Sequence, residues 1–400
     1  MSHLPHLDRP VDPARRASLR LFGLGGAALL AGCSTTETMI RPAASPALSQ
    51  PSATIGSGPV TAALLVPLSS GGGGGAVGTA IRNACDMAMA EFVHGEFQLV
   101  VKDDLGTPEG ASAAATAALA DGAHVILGPL FAPAVRTAGA VARSGGVPMI
   151  AFSSDASVAA PGIYLLSFMP QSDVERIVAY AAASGKTSFA ALIPQTAYGT
   201  VVQGEFQQAA SRHNLRIAAM ESFGLDRSAM QAPVARVAEV IRAGQADALF
   251  LPEGGETLPL VAEALGAAGV NPRRVQLLGT GVWDDKRVFA APLLQGGLYA
   301  APDASGFQAF AGRYRARFGT DPVRLASVGY DAISLVSGLL KAYGAQAFDA
   351  ANLTNPSGFS GIDGAFRFRT DGTNERSLSV LRVTPQGGQT VSAAARSFVS

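Results

Sequence analysis

His124–Asp155 reads HVILGPLFAPAVRTAGAVARSGGVPMIAFSSD, and its pattern decides the fold. Val125 to Leu127 is a short aliphatic run, Gly128-Pro129 a tight turn, and Gly145-Gly146 a break before a second run from Pro148 to Phe152. Between the runs, Val135, Ala138, Val141 and Ala142 recur at helical spacing, so one stripe can pack on a sheet. Strand, helix and strand joined this way make one parallel crossover, right-handed with few exceptions. Open α/β sheets bind ligands beyond the carboxyl ends of their strands. Leu130 and Phe131 past the first strand, and Ser153 and Ser154 past the second, are therefore candidate ligand contacts.

The same alternation extends on both sides. Ala62 to Pro67 and Phe97 to Lys102 read as buried strands, each followed by a helical segment, and Tyr164 to Phe168 closes a first set. A second set follows, with strands at Phe189–Pro194, Arg216–Ser222, Ala248–Pro252 and Val275–Gly279. The helices Gly306–Phe318 and Arg324–Tyr343 and two late strands then return the chain to both sets. A chain of 400 residues exceeds one comfortable core. The expectation is an α/β protein with two open parallel-sheet lobes joined by a multi-strand hinge. The hinge is expected near Met169-Pro170, Ala300–Pro302 and Thr370–Thr373. Lobe 1 is then 60–170 with 301–370, and lobe 2 is 171–300 with 371–400.

The first residues read as an address. Arg15, Arg16 and Arg20 precede the apolar run Leu21 to Ala31, long enough for a signal core and too short to span a bilayer. Leu30-Ala31-Gly32-Cys33 resembles a bacterial lipobox, which makes Cys33 the expected lipidated residue and ends the signal at residue 33. Ser34, in place of the aspartate that resembles an inner-membrane retention signal, points the anchor to the outer membrane. Residues 34–59, rich in Ser, Thr, Pro and Ala, read as a disordered tether. With Cys33 lipidated, only Cys85 remains, on an apolar helical stretch where it reads as a small buried hydrophobe.

Composition and motifs exclude several classes. Lys and Arg balance Asp and Glu, 30 against 30, which gives no electrostatic case for nucleic acid. Gly73 to Gly78 spells GxGxxG, but Pro67 to Gly72 separate it from its strand, and no Gly-Lys-Ser/Thr follows, so a nucleotide cofactor is not expected. His94, His124 and His213 lie far apart and show no metal-ligand spacing. Asp103-Asp104 point apart at a strand end. There is no Gly-x-Ser-x-Gly elbow and no Ser-x-x-Lys, so no nucleophile for acyl transfer and no enzyme is expected.

Several stretches together resemble the type I periplasmic binding proteins of the leucine/isoleucine/valine-binding branch. They are Leu65-Val66-Pro67-Leu68-Ser69, Ile126-Leu127-Gly128-Pro129, Gly146 to Ile150, Ala248 to Leu251, Ser327 to Ala332, and Gly361 to Phe368 with Asp371-Gly372. The lipobox with Gly128-Pro129-Leu130-Phe131 further resembles the lipoprotein activators of penicillin-binding proteins. That resemblance implies a non-catalytic regulator of peptidoglycan synthesis on the periplasmic side of the envelope, partnered by a penicillin-binding protein. The alternative it implies is the receptor of an ABC transporter, binding an amino acid or similar small polar ligand and docking on the permease. Amino-acid receptors of the family follow the third strand with hydroxyl residues that hold the ligand carboxylate. Here Leu130-Phe131-Ala132-Pro133 offers no hydroxyl, and Pro133 lacks an N–H. The carboxylate would fall to Ser69, Ser70, Ser153 and Ser154, the ammonium to Glu253, with Tyr198 and Trp283 reaching the cleft from the second lobe.

Overall fold

The computed structural model describes residues 53–398; the signal, Cys33 and most of the tether lie outside the described residues. In chain order the elements are β1 (Ala53–Gly56), β2 (Val60–Val66), α1 (Gly73–Phe92), β3 (Phe97–Asp103), α2 (Pro108–Ala120), β4 (Ala123–Leu127), α3 (Ala132–Ser144), β5 (Met149–Ala151) and β6 (Ile163–Leu165). The second lobe holds α4 (Pro170–Ala183), β7 (Ser188–Pro194), α5 (Ala197–Arg212), β8 (Arg216–Phe223), α6 (Arg227–Arg242), β9 (Ala248–Phe250), α7 (Thr257–Ala267), β10 (Gln276–Gly279), α8 (Lys286–Ala290) and β11 (Leu298–Ala301). Then come α9 (Ala304–Phe318), α10 (Ala326–Tyr343), α11 (Ala350–Leu353), β12 (Phe359–Gly361), β13 (Gly364–Phe368), β14 (Asn374–Arg376), β15 (Ser379–Thr384) and β16 (Gly387–Ser392).

Both main sheets are parallel at their centres and reverse direction of growth once. The first runs β1-β3-β2-β4-β5-β6, the second β16-β15-β11-β10-β9-β7-β8. β2 pairs in parallel with both β3 and β4, and β7 with both β8 and β9. Those two positions are the topological switch points, where successive connections leave on opposite faces and open a crevice.

The burial pattern explains why these strands read as unbroken apolar runs. Along β2, Ala62, Leu64 and Val66 enter a core with α1, α9 and α10, while Ala63 and Leu65 enter another with α2 and α3. In β7, Ala190 and Leu192 face α6 and α7, while Phe189, Ala191 and Ile193 face α4 and α5. Phe206 of α5 stacks on Phe250 of β9 at 4.8 Å, a pair adding about 1 kcal/mol to its burial.

The chain changes lobes between β6 and α4, between β11 and α9, and between β14 and β15. The last crossing corrects the expected boundary at residue 371. Asp371-Gly372 does make a hairpin turn, but its second arm is β14, paired with β13 in a small sheet whose Phe366 and Phe368 join the first lobe's core. Only at β15 does the chain pair with β11, starting at Ser379, three residues after Arg376, the last residue of β14 paired with β13. A second correction lies in the expected tether: Ala53–Gly56 forms β1, antiparallel to β3, and shields an otherwise open sheet edge. Among the described residues no helix is long and apolar enough to cross a membrane.

Candidate functional site

On the first lobe, the switch point brings the β2–α1 and β4–α3 connections together. Phe131 starts α3 without a side-chain cap, and Pro133 occupies the first turn. Phe131 is 37% exposed, yet one side of its ring is closely packed. A Cβ added to Gly74 or to Gly106 would stand 3.1 Å from the ring and 2.9 Å from the Ser70 Oγ. Phe131 and Ser70 thus lie over two glycines and tie three connections into one rim. Of the glycines just after β2, Gly74 is needed for this close approach, whereas Gly71, Gly72 and Gly73 have nothing within 4 Å of an added Cβ.

The other serines divide. Ser69 is exposed, Leu130 packs partly on the core, and Ser154 is exposed. Ser153 is buried, and its Oγ accepts the Asp155 N–H at 3.2 Å, which shapes its own loop. Asp155 in turn accepts from the Ser157 N–H.

The second lobe builds a denser polar group. Thr196 caps α5 by accepting the Gly199 N–H, which sets Tyr198 in the first turn. The Tyr198 hydroxyl lies 2.7 Å from the hydroxyl of Thr280, fully buried just past β10. The next amide, Gly281 N–H, donates to Asp173 Oδ2 at 2.9 Å. Asp173 stands in the first turn of α4, where the helix dipole favours an anion. Glu253, past β9, accepts the N–H of Gly254 at 2.8 Å.

Burial governs the electrostatics here. It pushes the Asp173 carboxyl up to about 7, against the opposing pull of the Gly281 N–H and the Arg376 charge. It raises Glu253 as well, opposed by the Gly254 N–H. Tyr198 is raised first by burial and then by the charge of Asp173, with Glu253 adding to it, so its hydroxyl stays a neutral donor and acceptor. Two carboxyls and two hydroxyls converge on one rim. Such a set can hold an ammonium or other hydrogen-bond donor, but it contains no activated nucleophile. Among the described residues no group of three or more His, Cys, Asp or Glu could hold a metal.

Trp283 does not join this group. It is fully buried, donates its indole N–H to the Leu251 carbonyl at 2.9 Å, and packs near Tyr299 in the second lobe's core. Gly279 makes room for it: a Cβ there would meet the indole at 2.1 Å. Thr280 and Asp173, conversely, belong to the site without having been singled out from the sequence. Thr280 directly follows a strand and was open to the strand-end rule that named Phe131. Asp173 carries no such signal, because 108 residues separate it from the amide it binds.

The profile of the periplasmic binding protein family matches residues 59–389. The chain belongs to the periplasmic binding protein family. Solved structures agree on the fold of this periplasmic binding protein. A Rhodospirillum rubrum protein described as a branched-chain amino acid ABC transporter is 18% identical, with a TM-score of 0.74 over 83% of this chain and 99% of that one. A solute binding protein from Rhodopseudomonas palustris BisB5, solved with 3,4-dihydroxy benzoic acid, is 21% identical, with a TM-score of 0.59 over 85% and 98%. A leucine binding protein from Thermotoga maritima is 17% identical, with a TM-score of 0.57 over 84% and 99%. Comparison with curated protein sequences gives no match.

Proposed function

We propose that this protein is a non-catalytic solute receptor of the cell envelope, taking an amino acid or similar small polar ligand between its lobes for an ABC transporter permease. One observation carries the reading: Tyr198 and Thr280 share a hydrogen bond at the second lobe's crevice, with Asp173 and Glu253 beside them. That rim suits the amine end of a ligand. Ser69 and Ser70, on the first lobe's switch point, are the proposed contacts for its other end, with Ser154 beyond β5. Phe131 and Leu130 would supply an apolar wall. Closure of two rigid lobes on such a ligand needs contacts from both, since only differential contact shifts the equilibrium. Neighbours of the same fold that are ABC transporter substrate-binding proteins support this reading.

Two observations favour a second reading, an activator of a penicillin-binding protein. Phe131-Ala132-Pro133 withholds the donors that a carboxylate needs at the first lobe, and Cys33-Ser34 fits a lipid anchor in the outer membrane, away from an inner-membrane permease. Affinity capture of the intact lipoprotein from detergent-solubilised envelope separates the two. Recovery of a permease supports the receptor; recovery of a peptidoglycan synthase without a permease overturns it. Replacing Cys33 by Ala should release the chain from the membrane fraction, and persistent anchoring would contradict the proposed lipidation.

A further inference from the structure

β16 is the edge strand of the second lobe's sheet, and its last residue is tied there: Arg176 of α4 donates from Nη2 to Ser392 Oγ at 2.7 Å. Two residues on, the Ala394 N–H donates to Ser379 Oγ of β15 at 3.1 Å. The chain then leaves that lobe. Ala395 to Ser397 are exposed, and half-buried Phe398 comes down on the small sheet whose Phe366 and Phe368 belong to the first lobe's core.

The seat for Phe398 is held in shape by other residues. Gly358, just ahead of β12, has a φ of 74°. A Cβ added there would stand 2.6 Å from the Phe366 carbonyl oxygen and 2.7 Å from the Phe398 ring, so glycine alone keeps this turn and leaves the ring its place. The Arg367 guanidinium lies 4.6 Å from the ring centroid, within reach of a cation–π contact. Arg367 is itself fixed: Nε and Nη2 donate to Glu375 Oε2 at 3.0 and 2.8 Å, and Nη1 to the Pro356 carbonyl at 3.3 Å. The Phe398 N–H reaches the Ser357 carbonyl at 3.5 Å.

A chain end is ordered where something ties it down, and this tie lies on the opposite lobe from the strand that precedes it. From Ala394 to Phe398 the chain spans about 14 Å at full extension. While both ends hold, the lobes cannot part further than that between these two points.

We propose that residues 393–398 are a strap across the lobes. With Phe398 seated, the strap is a fourth link beside the three covalent crossings, one that can detach, and it restrains opening of the hinge. It acts with no ligand present, so it stands or falls apart from the receptor reading.

The test uses the ligand-free full-length protein and three substitutions of one residue, Phe398→Ala, Phe398→Leu and Phe398→Tyr. Exposed Arg396 offers trypsin a cut between the two ties. Losing the ring's burial and its guanidinium contact should speed cleavage after Arg396 about tenfold in Phe398→Ala. Amide exchange should rise by a similar factor at Leu165 and at Asn374–Arg376, where the chain crosses between lobes, and stay unchanged inside β7 and β9. Phe398→Tyr, which keeps the aromatic face, should match wild type in both readouts, and Phe398→Leu should fall between. An unchanged cleavage rate in Phe398→Ala would overturn the proposal, because the ring would not be what holds the tail. Faster cleavage with unchanged exchange at the crossings would overturn it as well, by reducing the tail to an end that restrains nothing.

Discussion

Replacing Tyr198 by Phe removes one oxygen and little else, which makes it a clean probe of the second lobe's rim. The lost partner is the Thr280 hydroxyl, 2.7 Å away and fully buried. A buried hydroxyl left without its partner costs about 1–3 kcal/mol. Unfolding entropy of about 2.1 cal/mol/K per residue, over the folded 53–398 part, amounts to about 0.7 kcal/mol/K. The variant should therefore melt about 1.5 to 4 °C below wild type. Melting followed by Trp283 emission reads the lobe in which the bond lies. Changing Thr280 to Val in the Tyr198→Phe background removes the orphaned hydroxyl, and should recover most of the loss, since replacing both partners by apolar groups is close to neutral. An unchanged midpoint for Tyr198→Phe, or a double variant worse than the sum of the singles, would refute the hydrogen bond and the site built on it.

Further outcomes follow from burial. Gly279→Ala would drive a methyl group to 2.1 Å from an indole that has no room to retreat, and should cost about 1–3 kcal/mol or more in a denaturant titration. Cys85 is fully buried, and burial raises its thiol far above the usual range; it should resist a maleimide in the native protein and react on unfolding, and rapid native labelling would contradict its placement. Asp104 is pushed up to about 6, chiefly by burial, against the pull of the Gly106 N–H. Its folded form therefore keeps a proton that the unfolded chain releases near pH 4, so its contribution to stability falls as pH rises from about 4 to 6. Asp104→Asn, which retains an acceptor for Gly106, should flatten that part of the stability–pH curve and raise stability at neutral pH; an unaltered curve would count against it.

How much of this was legible in the sequence depended on whether a signal was local. Parallel strands covered on both faces leave continuous apolar runs, so Ala62–Pro67 and Phe189–Pro194 were readable without neighbours. Phe131, past β4, was readable from the strand-end rule, whereas Ser70, Tyr198 and Glu253 were implied only by the family resemblance; they lie beyond β2, β7 and β9. Trp283 satisfied that rule and still turned inward, because Gly279 opens a slot for the indole beneath it. The strand Ala53–Gly56 was hidden by its Ser- and Pro-rich surroundings; what holds it is the free edge of β3, a long-range partner. The crossing to the second lobe was placed too early because the Asp371-Gly372 turn joins β13 to the three-residue β14, too short to announce itself. Asp173 was out of reach for a related reason: its partner, the Gly281 amide, lies far along the chain, and no spacing encodes that.

The receptor claim is tested most directly by melting the purified chain against graded concentrations of small polar amines and amino acids. A ligand held between the lobes at a hundredfold excess over its Kd should add about 2.7 kcal/mol, which here corresponds to a rise of about 4 °C. The account predicts a saturable rise for at least one amine-bearing solute, weakened in Glu253→Gln and in Tyr198→Phe. A flat response across the panel, with a peptidoglycan synthase recovered in the envelope capture, would contradict it.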